Sequence, residues 1–140
     1  MKKNALFRIL NQAERAEVVR LGREIEEKHP VTILRKPEIM LVMLKVRESA
    51  RNSLFYACEA LACECTVMLG DTKGFAAGLN DDMEKIYAMA VIDAALNGNL
   101  PECALIMDRL GIWEEAIQAK HAYDAKLAMS TKVNFTVMEE

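Results

Sequence analysis

The sequence predicts an α+β fold: a small, mainly antiparallel sheet with helices packed on one face. Three observations carry this reading. Apolar residues recur at the helical period near the start of the chain and again from Asp81 onward. The stretch between is made of short alternating or continuously apolar runs, broken by turn residues. Two of those runs flank the glycine-bearing turn Gly70-Asp71-Thr72-Lys73-Gly74, the mark of a β-hairpin and so of antiparallel pairing. The order is helix, strands, helices, strand. With no internal repeat or linker, one domain over residues 1–140 is expected.

Asn4 is the candidate cap of a first helix, with Leu6, Ile9, Leu10 and Ala13 on its inner face. Val18, Leu21 and Ile25 continue out of phase. One bent helix or two short ones fit equally, with the break near Gln12 to Glu14. His29-Pro30 ends the helical segment, because the residue before proline avoids the α region. Val31 to Leu34 reads as a short strand and Lys36-Pro37-Glu38 as a turn. Ile39 to Val46 is almost continuously apolar and predicts a strand buried on both faces. Glu48 to Asn52 is a polar connection.

Phe55 to Leu69 satisfies both periods. Cys58, Leu61, Ala62 and Cys65 share a helical face, while Leu61, Cys63, Cys65, Val67 and Leu69 alternate. The turn that follows favours strands over Ala62 to Leu69 and Gly74 to Gly78. Asp81 with Glu84 forms a capping-box pattern, and Ile86, Met89, Ala90, Asp93 and Leu96 or Asn97 continue it as a helix. Gly98 offers a left-handed end. Asn99 with Glu102 repeats the pattern, opening a short helix with Cys103, Ala104, Leu105 and Leu110 inside and Gly111 at its close. Ile112 to Met129 predicts a last helix packed through Trp113, Ala116, Ile117, Tyr123 and Leu127. The tail Val133 to Met138 is expected to return to the sheet as an edge strand.

Composition excludes several functions. Charged residues are 28% and apolar ones 52%, so the chain is globular. The formal charge is −3, which argues against a nucleic-acid partner. The apolar run Ile39 to Leu44 is far too short to span a bilayer, and the N-terminus lacks the apolar core of a signal peptide. No membrane association and a cytoplasmic location are expected.

The four cysteines, Cys58, Cys63, Cys65 and Cys103, do not follow a zinc-knuckle spacing, and packing explains them better than metal. No metal site is expected. His29 and His121 are the only histidines, and no nucleophile motif accompanies them. Glu59, Glu64 and Asp93 lie in apolar surroundings, where a carboxylate must be paired, hydrogen-bonded or exposed. Lys45, Arg47 and Arg51 form a basic group suited to phosphate or phosphonate oxygens, although a solvated strand end also accounts for them. Gly70, Gly74 and Gly78 do not open a helix in a phosphate-loop pattern.

Several local patterns in order resemble one family. Phe55-Tyr56-Ala57-Cys58-Glu59 leads into Leu61-Ala62-Cys63-Glu64-Cys65-Thr66-Val67. Gly74 and Gly78 follow, then Asp81-Asp82 before a helix, then Ala90-Val91-Ile92-Asp93-Ala94, and finally Thr131-Lys132-Val133-Asn134-Phe135 with Met138. This order and spacing resemble PhnG, the G subunit of the carbon–phosphorus lyase core complex. Two positions depart from the pattern: Cys58 stands where the family usually has glycine, and Val137 where it usually has threonine.

The resemblance implies a subunit that acts with the H, I and L subunits. Together they transfer the ribose triphosphate of MgATP to a phosphonate such as methylphosphonate and release adenine. It also implies a core assembly with H, I and J, and the I subunit as the most direct partner. No catalytic residue is handed to this chain, and no cofactor of its own is expected, MgATP being a substrate of the complex. Glu59, Gly74, Gly78, Asp93, Thr131, Lys132 and Phe135 are the family-motif residues, expected in structural or interface roles. The alternative reading is a free-standing, homo-oligomeric binding or scaffold protein without enzymatic activity.

Overall fold

Two amphipathic helices open the chain in the computed structural model, which describes residues 1–134. α1 (Lys3–Gln12) buries Leu6, Ile9 and Leu10, and α2 (Arg15–Glu26) buries Val18, Val19, Leu21 and Ile25. The two-helix alternative is the one adopted. Ala13 takes an extended conformation between them and stops α1. Asn4 does not cap: it lies inside α1, whose flanking residue is Lys2. α2 ends at Glu26, a little before the expected His29.

Three antiparallel strands follow in the order β1-β2-β3: β1 (Val31–Arg47), β2 (Leu54–Leu69) and β3 (Thr72–Gly78). Gly70, at φ +59°, makes the tight β2–β3 turn that only a residue free of Cβ adopts without strain. Helices cover one face of this sheet. On that side Cys63, Cys65, Val67 and Leu69 of β2 and Ala76 of β3 are buried. On the other, Phe75 is 40% exposed.

β1 differs from expectation in two ways. It is one strand of seventeen residues, not two strands separated by a turn. Register shifts at Ile33/Arg35 and Arg35/Glu38 absorb Pro37, and a proline is tolerated at such an irregularity on an edge strand. The run Ile39 to Val46 is also not buried on both faces: Leu41 is 63% exposed and Met43 55%. The reason is topological. β3 ends at Gly78, opposite Cys63, so β2 from Leu54 to Ala62 pairs with β1 alone. Beyond the body of the protein the two strands continue as a two-stranded ribbon, nine residues of β1 long from Ile39, or about 30 Å at a strand rise.

α3 (Met83–Asn97) fills the space behind the sheet and is buried on nearly every side. Its cap is Asp82, whose carboxylate accepts from Lys85 N at 3.1 Å, one residue beyond the expected Asp81. α3 lies so close to β3 that a Cβ on Gly74 would meet Ala90 O at 2.1 Å. Gly98 does not take the left-handed position; at φ −83° it leaves that to Asn99, at φ +48°.

α4 (Cys103–Ser130) is a single helix of 28 residues, not a short helix and a long one. A Cβ on Gly111 would meet nothing within 4 Å, so this surface glycine costs the helix only about 1 kcal/mol and does not end it. Ile106, Leu110, Trp113 and Ile117 form the buried stripe, while Ala104 and Leu105 are exposed. Every residue from Gln118 to Ser130 is exposed, including Tyr123 and Leu127, and Ala116 is exposed as well. Among the described residues, the last thirteen of α4 therefore project without packing. Val133 and Asn134 form no strand, and the rest of the expected edge strand lies outside the described residues.

Candidate functional site

The base of the ribbon holds an open cavity of about 650 Å³. Val42, Ala62, Ala77 and Leu79 supply its apolar wall, and Asn11 and Lys85 its polar one. Lys85 is 7% exposed, and its Nζ donates to Asn11 O and Ala13 O, both at 2.8 Å. These are carbonyls at the C-terminal end of α1, which a cation satisfies well. Burial pushes the Lys85 pKa down. At the rim, Arg15 Nε donates to Asp82 at 2.7 Å, and both Arg15 and Arg23 pair with Glu84. The cations around this cavity are thus committed to protein acceptors, and its free surface is mainly apolar.

The outer edge of β3 forms a second constellation. Asn97 Nδ2 donates to Lys73 O at 2.9 Å, and Asp93 Oδ2 accepts from Phe75 N at 3.1 Å. Asn11 Nδ2 donates to Ala77 O at 3.2 Å. Asp93 is 1% exposed and also accepts from Lys3 Nζ at 3.0 Å and Asn97 Nδ2 at 3.1 Å. Three side chains from α1 and α3 thereby take the place of a fourth strand. Asn11 and Lys85 were not singled out in the sequence, and Asn97 was read only as a position of the helical period. The signal for them is weak, because polar residues at helix ends ordinarily face water.

The cysteines do not converge. Cys63 and Cys65 are buried, Cys103 is half-buried and Cys58 is exposed on the ribbon. Cys65 Sγ donates to Arg35 O at 3.4 Å, at the β1 irregularity. Burial pushes the Cys65 thiol up to about 11 and raises Cys63 too, with Asp81 and Asp82 adding to the latter. Such thiols are poor nucleophiles near neutral pH. Among the described residues no three His, Cys, Asp or Glu side chains are placed to share a metal ion. His29 Nε2 lies 3.1 Å from Glu102, whose carboxyl pKa it lowers. His121 and Asp124 are on the exposed half of α4.

The basic group sits at the ribbon tip. Lys45 Nζ stands 5.4 Å over the Tyr56 ring, and Arg47 donates to Asn52 O. Glu48 accepts from Ala50 N and Arg51 N, which lowers its pKa and closes the tip turn. Glu59 is exposed on the ribbon opposite Met43, and Glu64 pairs with Arg35. Gly74 is the α3 contact, and a Cβ on Gly78 would meet Asn11 Oδ1 at 2.1 Å. Thr131 Oγ1 donates to Ala128 O at 3.1 Å at the end of α4, and Lys132 is exposed. Phe135 lies outside the described residues. Among the described family-motif residues, Gly74 and Asp93 meet in one place, at the β3–α3 contact.

No helix of the described residues is long and apolar enough to cross a membrane. No curated protein matches the chain. The family described as "Phosphonate metabolism protein PhnG" matches it over residues 1–139. With the match running through the helices, the ribbon and the sealed sheet edge alike, the chain belongs to the PhnG family of phosphonate metabolism proteins.

Proposed function

We propose that this chain is a non-autonomous subunit of the assembly that couples a phosphonate to MgATP. In that reading it works with the H, I and L subunits, and with H, I and J in a core complex, contacting the I subunit most directly. The assembly transfers the ribose triphosphate of MgATP to a phosphonate such as methylphosphonate and releases adenine. The product is α-D-ribose 1-methylphosphonate 5-triphosphate. This chain supplies docking surface and contributes no catalytic residue, and the reaction takes place in the cytoplasm.

The observation that carries the subunit reading is the projecting half of α4. From Gln118 to Ser130 it exposes Tyr123 at 63%, Leu127 at 50% and Met129 at 66%. Thirteen helical residues that bury nothing gain no packing stability of their own, so an apolar face there is best explained by a groove on another subunit.

Reconstitution tests the proposal. The purified chain, incubated with MgATP and methylphosphonate, is expected to release no adenine. Adding the H, I and L subunits is expected to start release, and omitting this chain to abolish it. A Tyr123→Glu, Leu127→Glu variant should melt like the parent yet lower adenine release in the mixture at least tenfold. Adenine release by the chain alone, or a mixture indifferent to its omission, would sink the reading.

A further inference from the structure

We propose that the ribbon joins two copies of this chain: the stretch Leu54–Ala62 of β2 pairs antiparallel with the same stretch of a second copy. The inference is independent of the subunit reading above and rests on how the three sheet edges are finished.

An open strand edge invites pairing, and proteins protect edges they do not use. The outer edge of β3 is sealed by Asn11, Asp93 and Asn97. The outer edge of β1 carries Arg35, Lys36, Pro37 and Glu38 at its base and Lys45 and Arg47 at its tip, charges and a proline of the kind that discourage pairing, and leaves only the shorter run Ile39–Leu44 between them without such a residue. Leu54–Ala62 has no proline and a single charge. Its one charged residue is Glu59, and its one irregularity is the bulge where Leu44 meets Cys58 and Lys45 meets Tyr56. Among the described residues no strand pairs with this edge.

The stretch fits its own copy in length. It is bounded by the ribbon tip at one end and by β3, which begins to pair at Cys63, at the other. Two such stretches laid antiparallel bring each tip to the point where the other copy's β3 ends. There Leu54 of one chain comes alongside Ala62 of the second copy, at the mouth of the 650 Å³ cavity. The charges fit as well. The tip carries Lys45, Arg47 and Arg51, and the segment leaving β3 carries Asp81 and Asp82. Because the contact is two-fold, both favourable encounters occur twice.

The stretch itself is apolar and open: Leu54, Phe55, Tyr56 and Leu61 are each between 46% and 60% exposed, and the facing residues of a second copy's strand would cover part of each. Cys58, midway along the stretch and exposed, falls near the two-fold axis and reports on the pairing.

The test uses the purified full chain. Light scattering at micromolar concentration should give twice 15.7 kDa. Diamide, which oxidises two thiols to one disulfide, should link the dimer, and Cys58→Ser should abolish the link while leaving the dimer in reduced buffer. Tyr56→Lys with Leu61→Lys, both at exposed positions, should give a monomer with unchanged melting. A monomeric parent chain would overturn the proposal, as would a dimer that survives the double variant or is linked through Cys103. A chain that stays monomeric but holds another subunit through Leu54–Ala62 would overturn it too, assigning the edge to that subunit.

Discussion

Asp93 is surrounded by donors: the Lys3 ammonium, the Phe75 amide and the Asn97 side chain. Its place in the run Ala-Val-Ile-Asp-Ala-Ala announces a carboxylate that must be satisfied, but the sequence alone does not say by what. The answer depends on residues ninety and eighteen positions away. Replacing Asp93 by Ala strands a buried amide and a lysine that has lost its partner. The expected cost is about 2–4 kcal/mol, read as a lower urea midpoint at unchanged m-value. A midpoint within error of the parent would show that water replaces the carboxylate. The buried cysteines were legible for a simpler reason: small apolar residues alternate where a strand faces a core, as Cys63 and Cys65 do.

At the scale of elements, the contacts that define the fold are close approaches. α3 meets β3 at Gly74 and α2 at Gly22, where an added Cβ would come within 2.6 Å of Ala88 Cβ. Gly74→Ala drives a methyl into the Ala90 carbonyl, part of a helix backbone that cannot yield alone. Overpacking of this kind is expected to cost about 2–3 kcal/mol and to lower the denaturation midpoint, with the spectroscopic helix content kept. No loss of stability would mean that α3 stands off further than described. The hairpin around Gly70, the opening helical segment (though not its division in two) and α3 were legible because turn chemistry and periodicity agree there. The ribbon was not. A continuous apolar run has no polar face to orient it, and periodicity records what is apolar without recording what covers it. α4 misled in the same way, since Tyr123 and Leu127 keep a helical spacing whether they pack or project.

For the molecule as a whole, several carboxylates tie distant elements together. Glu84 of α3 pairs with Arg15 and Arg23 of α2, and its pKa lies below the ordinary 4.5 because of those hydrogen bonds. Glu102, before α4, is lowered by His29 and by Lys28 beyond α2. A carboxyl held lower in the folded state contributes stability above its ordinary pKa and loses it as pH falls through the folded value. The melting temperature should therefore fall as pH drops below about 4.5, and high salt or Glu84→Gln should flatten that limb. An acid limb identical in the variant would remove Glu84 from the account. The same pairs hold α2 and α4 to the rest, while among the described residues the ribbon and the end of α4 take part in no such tie.

The sealed edge of β3 has a consequence for motion. Edge strands usually fray by themselves, losing their outer hydrogen bonds to water before the core opens. Here the outer groups of β3 are held by side chains of α1 and α3, so the strand cannot lift without pulling on both helices. β3, α3 and the end of α1 should open as one cooperative unit. The Phe75 amide, though on an outer strand, should then be as slow to exchange its hydrogen as the amides in the middle of α3.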